Sequence, residues 1–270
     1  MSQILSRLDR FWRMLMTGFC FALFGLGGLL SLVWFNLLLI FQRDRTARRR
    51  LARRSISASF RLFLAVVRGT GVLDYRFNNL DVLRAERGCL VIANHPSLLD
   101  YVILASVMNE TDCLVKSALL RNPFVSGVIR AADYLINSEA ETLLRASQQR
   151  LAQGDTLLIF PEGTRTRVGE AITLQRGAAN IAVRCNSSLR VVVIHCSERM
   201  LDKQSRWYNV PPNKPIFTVD VRERINIHDF YDASQHEPAL AARQLNRHMQ
   251  QQLTSGLQSL SGMKDASALS

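Results

Sequence analysis

A long charge-free stretch near the N-terminus is the feature that most constrains how this chain can fold. Residues 14–42 contain no charged side chain, and about 20 apolar residues are enough to cross a lipid bilayer. The stretch is too long for the apolar core of a signal peptide. An arginine-rich run also follows it where a signal peptide would have small residues at its cleavage site. The sequence therefore predicts a membrane-associated segment at the N-terminus.

Positive charge is concentrated around this stretch. The chain of 270 residues has 34 Lys and Arg against 22 Asp and Glu, a net charge of +12. Residues 1–68 hold 12 arginines and no lysine against Asp9 and Asp44, which gives +10 and leaves +2 for the rest. A nucleic-acid-binding protein would carry such an excess on its folded domain. The distribution therefore favours membrane lipids as partners, and no nucleic acid is expected.

The arginines also predict an orientation. Seven of them lie between residues 43 and 54, which places this end on the cytoplasmic side of the inner membrane, together with the rest of the chain. A smaller cluster at residues 7–13 lies before the apolar stretch. Three glycines between residues 25 and 28 leave two arrangements open. The segment either spans once as a transmembrane helix, or bends at the glycines and re-enters one leaflet.

Apolar side chains recur at helical spacing just after the arginine run. They are Ile56, Phe60, Phe63, Leu64 and Val67, with arginines between them. This pattern predicts an amphipathic helix lying in the headgroup layer. The alternative is a helix that packs on the folded domain.

A polar block that can carry acid–base chemistry follows an apolar run. Residues 89–93 predict a buried strand, and the next residues contain His95 and, five positions later, Asp100. If the chain turns at Pro96 and starts a helix, the carboxylate can accept a proton from one imidazole nitrogen. That bond would fix the tautomer and leave the other nitrogen free as a base.

A second block, Phe-Pro-Glu-Gly-Thr-Arg at residues 160–165, follows another apolar strand at residues 156–159. Either block alone is equally compatible with a purely structural turn. The two together, in this order and each at the end of a strand, favour a functional site.

This pair of blocks resembles the glycerolipid acyltransferases, typified by the lysophosphatidate acyltransferases, over about residues 89–197. The resemblance implies a membrane-associated O-acyltransferase that moves a fatty acyl group from an acyl thioester to a hydroxyl of a lysophospholipid such as lysophosphatidate. The thioester of acyl-carrier protein or of CoA would be a co-substrate. No separate cofactor and no metal are therefore expected.

His95 would act as the base, and Asp100 would orient it and stabilise the imidazolium. Ser97 lies close to the histidine, but the chain has no G-x-S-x-G motif, so Ser97 is interpreted as a turn residue. A direct transfer without a protein nucleophile is the economical mechanism, because the thioester is already activated.

The remaining site candidates lie in or after the second block. Arg165 is the expected clamp for an anionic acceptor, since a guanidinium binds phosphate in bidentate fashion. Backbone amides nearby could hold the developing oxyanion. The substrate-binding candidates are Glu162, Gly163, Thr164 and Arg165, and the candidates for further anion contacts are Arg167 and Arg176. For the last two, a solvated surface position is the alternative.

The sequence departs from the family at a position that bears on the acceptor. Lysophosphatidate acyltransferases usually carry an arginine after the strand that corresponds to residues 134–137, and Ser138 stands there in this chain. The proline that often precedes the last core strand is also replaced, by Leu189-Arg190. A specialised non-glycerophosphate lipid acceptor, a thioesterase and a non-catalytic lipid-binding protein therefore stay open as alternatives.

Strands and helices alternate along residues 69–234, which predicts an α/β fold with a mixed, largely parallel sheet flanked by helices. Ligands bind at the carboxyl ends of such strands, where both blocks lie. Residues 1–68 are expected to anchor the chain, and residues 235–270 to add a C-terminal helix and a disordered tail from residue 261. In that helix the apolar positions are Leu240, Leu245, Met249, Leu253 and Leu257. The five cysteines form no C-x-x-C pair and are predicted to be small buried apolar residues.

Overall fold

A seven-stranded sheet lies at the centre of the computed structural model, which describes residues 2–137, 139–166, 170–234 and 237–267. The strand order is β1-β7-β6-β2-β5-β3-β4. All neighbouring strands are parallel except β6 and β7. The strands are β1 Asp74–Asn78, β2 Leu90–Ala93, β3 Asp112–Lys116, β4 Leu135–Asn137, β5 Leu157–Ile159, β6 Leu189–Cys196 and β7 Ile216–Ile225. The α/β class and the mixed, largely parallel sheet are confirmed.

The helices of the described residues flank this sheet. They are α1 Ser2–Phe41, α2 Arg45–Gly69, α3 Leu80–Ala85, α4 Asp100–Val107, α5 Pro123–Ala132, α6 Ala140–Ala152, α7 Gly177–Arg184, α8 His228–Ala233 and α9 Pro238–Ser267, with a 3₁₀ turn at Ser117–Arg121. The predicted strands and helices of the α/β region all occur, with ends shifted by a few residues.

Two apolar cores cover the two faces of the sheet. Val192 and Ile194 of β6 belong to the core built with α2 and α4. Val191 and Val193 belong to the core built with α7 and α9. This division follows from the two-residue period of a strand. Since β2 is covered on both sides, all four of its residues are buried.

The C-terminal helix α9 is an integral part of the second core. Leu245, Met249 and Leu253 are fully buried on it, whereas Leu240 is 42% exposed and does not belong to the buried face. The helix lies so close to β6 that a Cβ on Gly256 would approach Val193 to 2.6 Å. It also continues to Ser267, past the point where the sequence analysis expects a disordered tail.

Helix α1 runs along the surface of the domain for much of its length. It is about 60 Å long and continues without a break through the three glycines, so the bend that the re-entrant arrangement requires is not found. Near its start Arg13 is buried, and near its end Leu38 packs against α2 and α5. The helix is long and apolar enough to cross a bilayer by length and composition.

The apolar side of α2 packs on protein, which corrects the prediction that it lies in the headgroup layer. Ile56, Leu64 and Val67 are buried against the domain and α1. Its arginines also have protein partners. Arg53 is buried with Asp112 at 2.7 Å. Because helical spacing predicts a buried face but not its partner, the alternative of a helix packed on the domain is the correct one.

The five cysteines form no disulfide among the described residues. Cys20, Cys89 and Cys113 are buried, and Cys185 and Cys196 are half-buried. Their burial agrees with the interpretation as small apolar residues.

Candidate active site

The two polar blocks meet because their strands are neighbours in the sheet. Ile92 of β2 is in register with Ile159 of β5, and the two strands are parallel. Their carboxyl ends therefore lie side by side at one edge. The loop after β2 carries His95, and the loop after β5 carries Glu162.

His95 and Asp100 form a hydrogen-bonded pair. The imidazole Nδ1 lies 2.8 Å from Oδ2 of Asp100. The same oxygen accepts a hydrogen bond of 2.7 Å from the amide of Ser97, whose hydroxyl in turn accepts one from the amide of Leu99. Ser97 is thus a turn residue in this structure. Asp100 is fully buried, while the side chain of His95 is 22% exposed. The ring is therefore held from the protein side and accessible from the other.

Burial changes the proton affinity of the carboxylate. It raises the pKa of Asp100 to about 6, although hydrogen bonds from His95 and Ser97 and the charge of Arg165 act in the opposite direction. A buried anion that loses hydration is destabilised, so desolvation outweighs these partners. The second oxygen, Oδ1, is buried and has no hydrogen-bond partner among the described residues.

Asn94 anchors the loop that begins at His95. Its side-chain nitrogen donates to the carbonyl of Ile194 at 2.8 Å, and its side-chain oxygen accepts from the amide of the same residue at 2.7 Å. The buried amide side chain thus continues the pairing of β2 with β6 for one more residue. Its role was not predicted from the sequence, although a polar residue directly after a fully apolar strand is a usable signal.

Backbone hydrogen bonds join the two loops on both sides of His95. The amide of His95 donates to Oε1 of Glu162 at 2.6 Å. The carbonyl of His95 accepts from the amide of Thr166 at 3.2 Å. The ring of Phe160 stacks on the imidazole with ring centroids 4.4 Å apart. The second block therefore holds the backbone and the ring plane of His95.

The carboxyl group of Glu162 lies beside His95 at the edge of the sheet. The residue is buried, and burial raises the pKa of its carboxyl to about 7. Its second oxygen, Oε2, is buried without a hydrogen-bond partner among the described residues. Of the two carboxyl oxygens, Oε2 is therefore the one open to a further partner, because Oε1 already accepts from His95.

The turn after Phe160 requires glycine. Gly163 has φ = +69°, a conformation that costs about 1–2 kcal/mol for a residue with a Cβ. Its amide donates to the carbonyl of Phe160 at 3.1 Å. Thr164, the next residue, is exposed at the edge of the loop.

Arg165 lies in the site but is partly engaged by protein. Its Nη1 donates to the carbonyl of Leu201 at 3.0 Å and to that of Asp202 at 3.2 Å. Leu201 has φ = +53°. This contact with the loop between β6 and β7 was not predicted from the sequence.

The other two anion candidates differ in what can be said of them. Arg176 is exposed at the start of α7. It follows Gln175, whose amide donates to the carbonyl of Pro161 at 2.7 Å, so it is near the second loop. Arg167, like Ser138 at the position of the family's arginine, lies outside the described residues.

The sequence of this chain is similar to a known family and to several of its relatives. The profile of the family described as Acyltransferase matches residues 74–197. A 1-acyl-sn-glycerol-3-phosphate acyltransferase of Helicobacter pylori is 26% identical over 149 residues, which cover 53% of this chain and 59% of that protein. One of Pseudomonas aeruginosa is 26% identical over 132 residues, which cover 47% and 51%. The chain thus spans between half and three fifths of the length of these relatives.

Structure comparison supports the fold. The crystal structure of the 1-acyl-sn-glycerophosphate acyltransferase of Thermotoga maritima superposes with a TM-score of 0.63. The match covers 96% of this chain and 99% of that one at 19% identity. At this identity the similarity shows the shared architecture.

Proposed function

Residues 74–197 carry a domain of the acyltransferase family, and from that premise we propose that this chain moves a fatty acyl group from an acyl thioester to a hydroxyl of a lysophospholipid such as lysophosphatidate. The observation that supports this most directly is the pair of His95 and Asp100, 2.8 Å apart at the carboxyl edge of the sheet. The names of the relatives support the lysophosphatidate type of reaction.

The proposed chemistry is a single direct transfer. With Nδ1–H of His95 donating to Asp100, Nε2 carries the free lone pair and takes the proton of the acceptor hydroxyl. The hydroxyl oxygen forms its bond to the acyl carbon as the carbon–sulfur bond breaks. The proton passes from the imidazolium to the thiolate, so the products are the ester and a thiol. Asp100 stabilises the imidazolium in between.

Acceptor binding is assigned to the second loop. Arg165 would hold the anionic head group with the part of its guanidinium that does not contact Leu201 and Asp202. Glu162 Oε2 would accept from an acceptor hydroxyl. The amides of His95, Gly163 and Thr166 already donate within the two loops, so the oxyanion role would fall to neighbouring amides. Acyl-carrier protein and CoA both stay as donors, and the acceptor alternatives of the sequence analysis stay open.

The chain is also proposed to act at a membrane. Helix α1 exposes large apolar side chains from Ile4 to Phe41, while Arg13 and Leu38, about 37 Å apart along the helix, both pack on protein. A helix attached to the domain at both points would lie in the plane of one leaflet, with its exposed side in the acyl chains. We place the domain on the cytoplasmic side of the inner membrane, next to the arginines that follow α1.

The test is an acyl-transfer assay with the full chain in membranes. A labelled acyl thioester is offered with a panel of lysolipids that includes lysophosphatidate and neutral acceptors, and the products are identified by mass. We expect acylated lysophosphatidate, and loss of transfer in His95→Ala with membrane binding retained. Release of free fatty acid without any acceptor would instead identify a thioesterase. Equal, acceptor-independent traces in wild type and His95→Ala would leave only a lipid-binding role.

A further inference from the structure

The loop between β6 and β7 links the N-terminal helix to the catalytic edge. Its residues 199–213, here called the strap, contact α1 at one end and both catalytic loops at the other. The proposal that follows rests on the proposed function and names residues that position its site.

At the catalytic end, one carbonyl of the strap accepts hydrogen bonds from both loops. The carbonyl oxygen of Leu201 accepts from the amide of Leu98, in the turn between His95 and Asp100, at 3.1 Å. It also accepts from Nη1 of Arg165 at 3.0 Å. A shift of this oxygen would therefore disturb the catalytic turn and the proposed anion clamp together.

The backbone at this carbonyl is strained and held in place by burial. Leu201 adopts φ = +53°, a region that branched apolar residues rarely occupy and that persists only where the surroundings impose it. Met200 and Leu201 are buried in the core on the α2 side of the sheet. The carboxylate of Asp202 is buried and accepts from the amides of Gln204 and Ser205 at 2.8 and 2.6 Å.

At the other end, an arginine of α1 binds three consecutive carbonyls of the strap. Arg13 is only 1% exposed. Its Nη1 donates to the carbonyls of Pro211 and Asn213 at 2.9 and 3.0 Å, and its Nη2 donates to that of Pro212 at 2.6 Å. Nε donates to Asp9 at 2.8 Å.

Two weaker contacts also attach the strap to α1. Arg10 donates to the carbonyl of Val210 at 2.9 Å. Trp207 packs so closely on α1 that a Cβ on Gly18 would lie 3.3 Å from its ring. The strap is thus attached to α1 along several residues, with Arg13 as the buried centre.

The chemistry at Arg13 is specific to a guanidinium. Its planar fork presents donors in fixed directions to several acceptors at once, whereas a lysine ammonium is a point charge with three rotatable donors. A buried carbonyl that loses its donor is costly. Lysine at this position would keep the charge but release part of the strap.

We propose that Arg13 is a positioning residue, and that by seating the strap on α1 it sets the Leu201 carbonyl that orients Arg165 and the turn between His95 and Asp100. The membrane-facing helix and the catalytic edge are thereby coupled through the backbone of the strap.

The kinetic test is a double-mutant cycle of Arg13→Lys and Arg165→Lys, measured with lysophosphatidate. We expect Arg13→Lys to raise KM for the anionic acceptor about tenfold and to leave KM for the acyl thioester unchanged. The double variant should be no worse than Arg165→Lys alone, because both changes act on the same clamp. Arg7→Lys is the matched control, since it makes the same change at an exposed position of α1. Fully multiplicative effects in the double variant would overturn the coupling.

The second test does not depend on activity. Amide hydrogen exchange is followed by mass spectrometry in a peptide that covers residues 95–99. In Arg13→Lys the amide of Leu98 should exchange about fivefold faster, which corresponds to the free energy of roughly one hydrogen bond. In Arg7→Lys the exchange rate should match that of the wild type. Melting temperatures show whether Arg13→Lys is folded, and Arg13→Ala extends the series if it folds. Unchanged exchange in folded Arg13→Lys would overturn the proposal, whereas a wild type without transfer would overturn only the proposed function.

Discussion

Two buried aspartates in this structure share a perturbed pKa but differ in everything around them. Asp100 lies at the catalytic edge, and Asp112 begins β3. Both side chains are fully buried, and burial raises the pKa of each carboxyl to about 6. Proton affinity alone therefore does not separate a catalytic site from a structural one.

The partners make the difference. Asp112 is paired with two permanent cations, Arg53 at 2.7 Å and Arg150 at 3.5 Å, and the side chain of Arg53 is itself only 2% exposed. Asp100 is paired with His95, whose imidazole can donate or accept a proton and whose ring is accessible from outside. Asp112 and Arg53 are closed off from solvent, whereas the ring of His95 is open to it.

The ion pair of Arg53 and Asp112 joins helix α2 to the sheet. Arg53 of α2 also donates to the carbonyls of Ala132 and Glu110. Asp112 in turn accepts from the amides of Cys113 and Leu135 through its other oxygen. This network holds α2 against β3 and α5, which is a structural task.

The largest expected effect is on catalysis at the first aspartate. Asp100→Asn should lower kcat about 10³-fold, because the histidine loses the acceptor that fixes its tautomer. Asp112→Asn, the matched change at the second aspartate, should keep kcat per folded molecule within about threefold. Steady-state kinetics on both purified variants measure this. Equal losses in the two variants would contradict different roles for Asp100 and Asp112.

The second-largest expected effect is on protein stability, at the ion pair of Asp112. Arg53→Ala should lower the free energy of unfolding by about 3 kcal/mol, since it leaves a buried carboxylate without its closest cation. Chemical denaturation gives the value. A loss under ~1 kcal/mol would mean that Arg150 alone neutralises Asp112.

A third prediction uses pH to separate the two roles. A carboxyl whose folded pKa is raised stabilises the fold at low pH, and this contribution is lost as pH rises through about 6. Between about pH 5 and about pH 8, both Asp→Asn variants should therefore gain melting temperature relative to wild type. Wild-type activity should instead rise as pH increases through about 6, because protonated Asp100 cannot orient His95. Asp112→Asn should keep this rise in activity, and loss of the rise in that variant would assign it to Asp112 and not to Asp100.

The smallest expected effect is at an exposed ion pair made by another arginine of α2. Arg45 pairs with Asp133 at 2.9 Å, but its side chain is 72% exposed. Arg45→Ala should change the free energy of unfolding by no more than about 0.5 kcal/mol. Measured beside Arg53→Ala, it tests whether burial rather than charge decides the contribution of an α2 arginine.

Local sequence was sufficient for much of this protein. The five-residue spacing of His95 and Asp100 predicted their contact, because a turn followed by the first turn of a helix returns to the preceding strand end. The apolar runs predicted the strands, and the order of the two blocks predicted one shared edge. Ser97 was correctly interpreted as a turn residue.

Two expectations differ from the structure. The apolar face of α2 was assigned to lipid, but it packs on protein. The helix α9 was expected to end before residue 261. For α2, a periodic pattern indicates that a face is buried without naming the partner. For α9, the sequence after residue 260 has no apolar period that would have predicted the longer helix.

The sequence by itself determined which side chains are the candidates for the chemistry and which short segments present them, because turns and strands depend on neighbours a few residues apart. Only the tertiary structure decided that β2 lies beside β5, that Leu201 serves Arg165 and Leu98, and that Arg13 seats the strap. These contacts join residues up to about 200 positions apart, and they depend on chain packing, which no local spacing encodes.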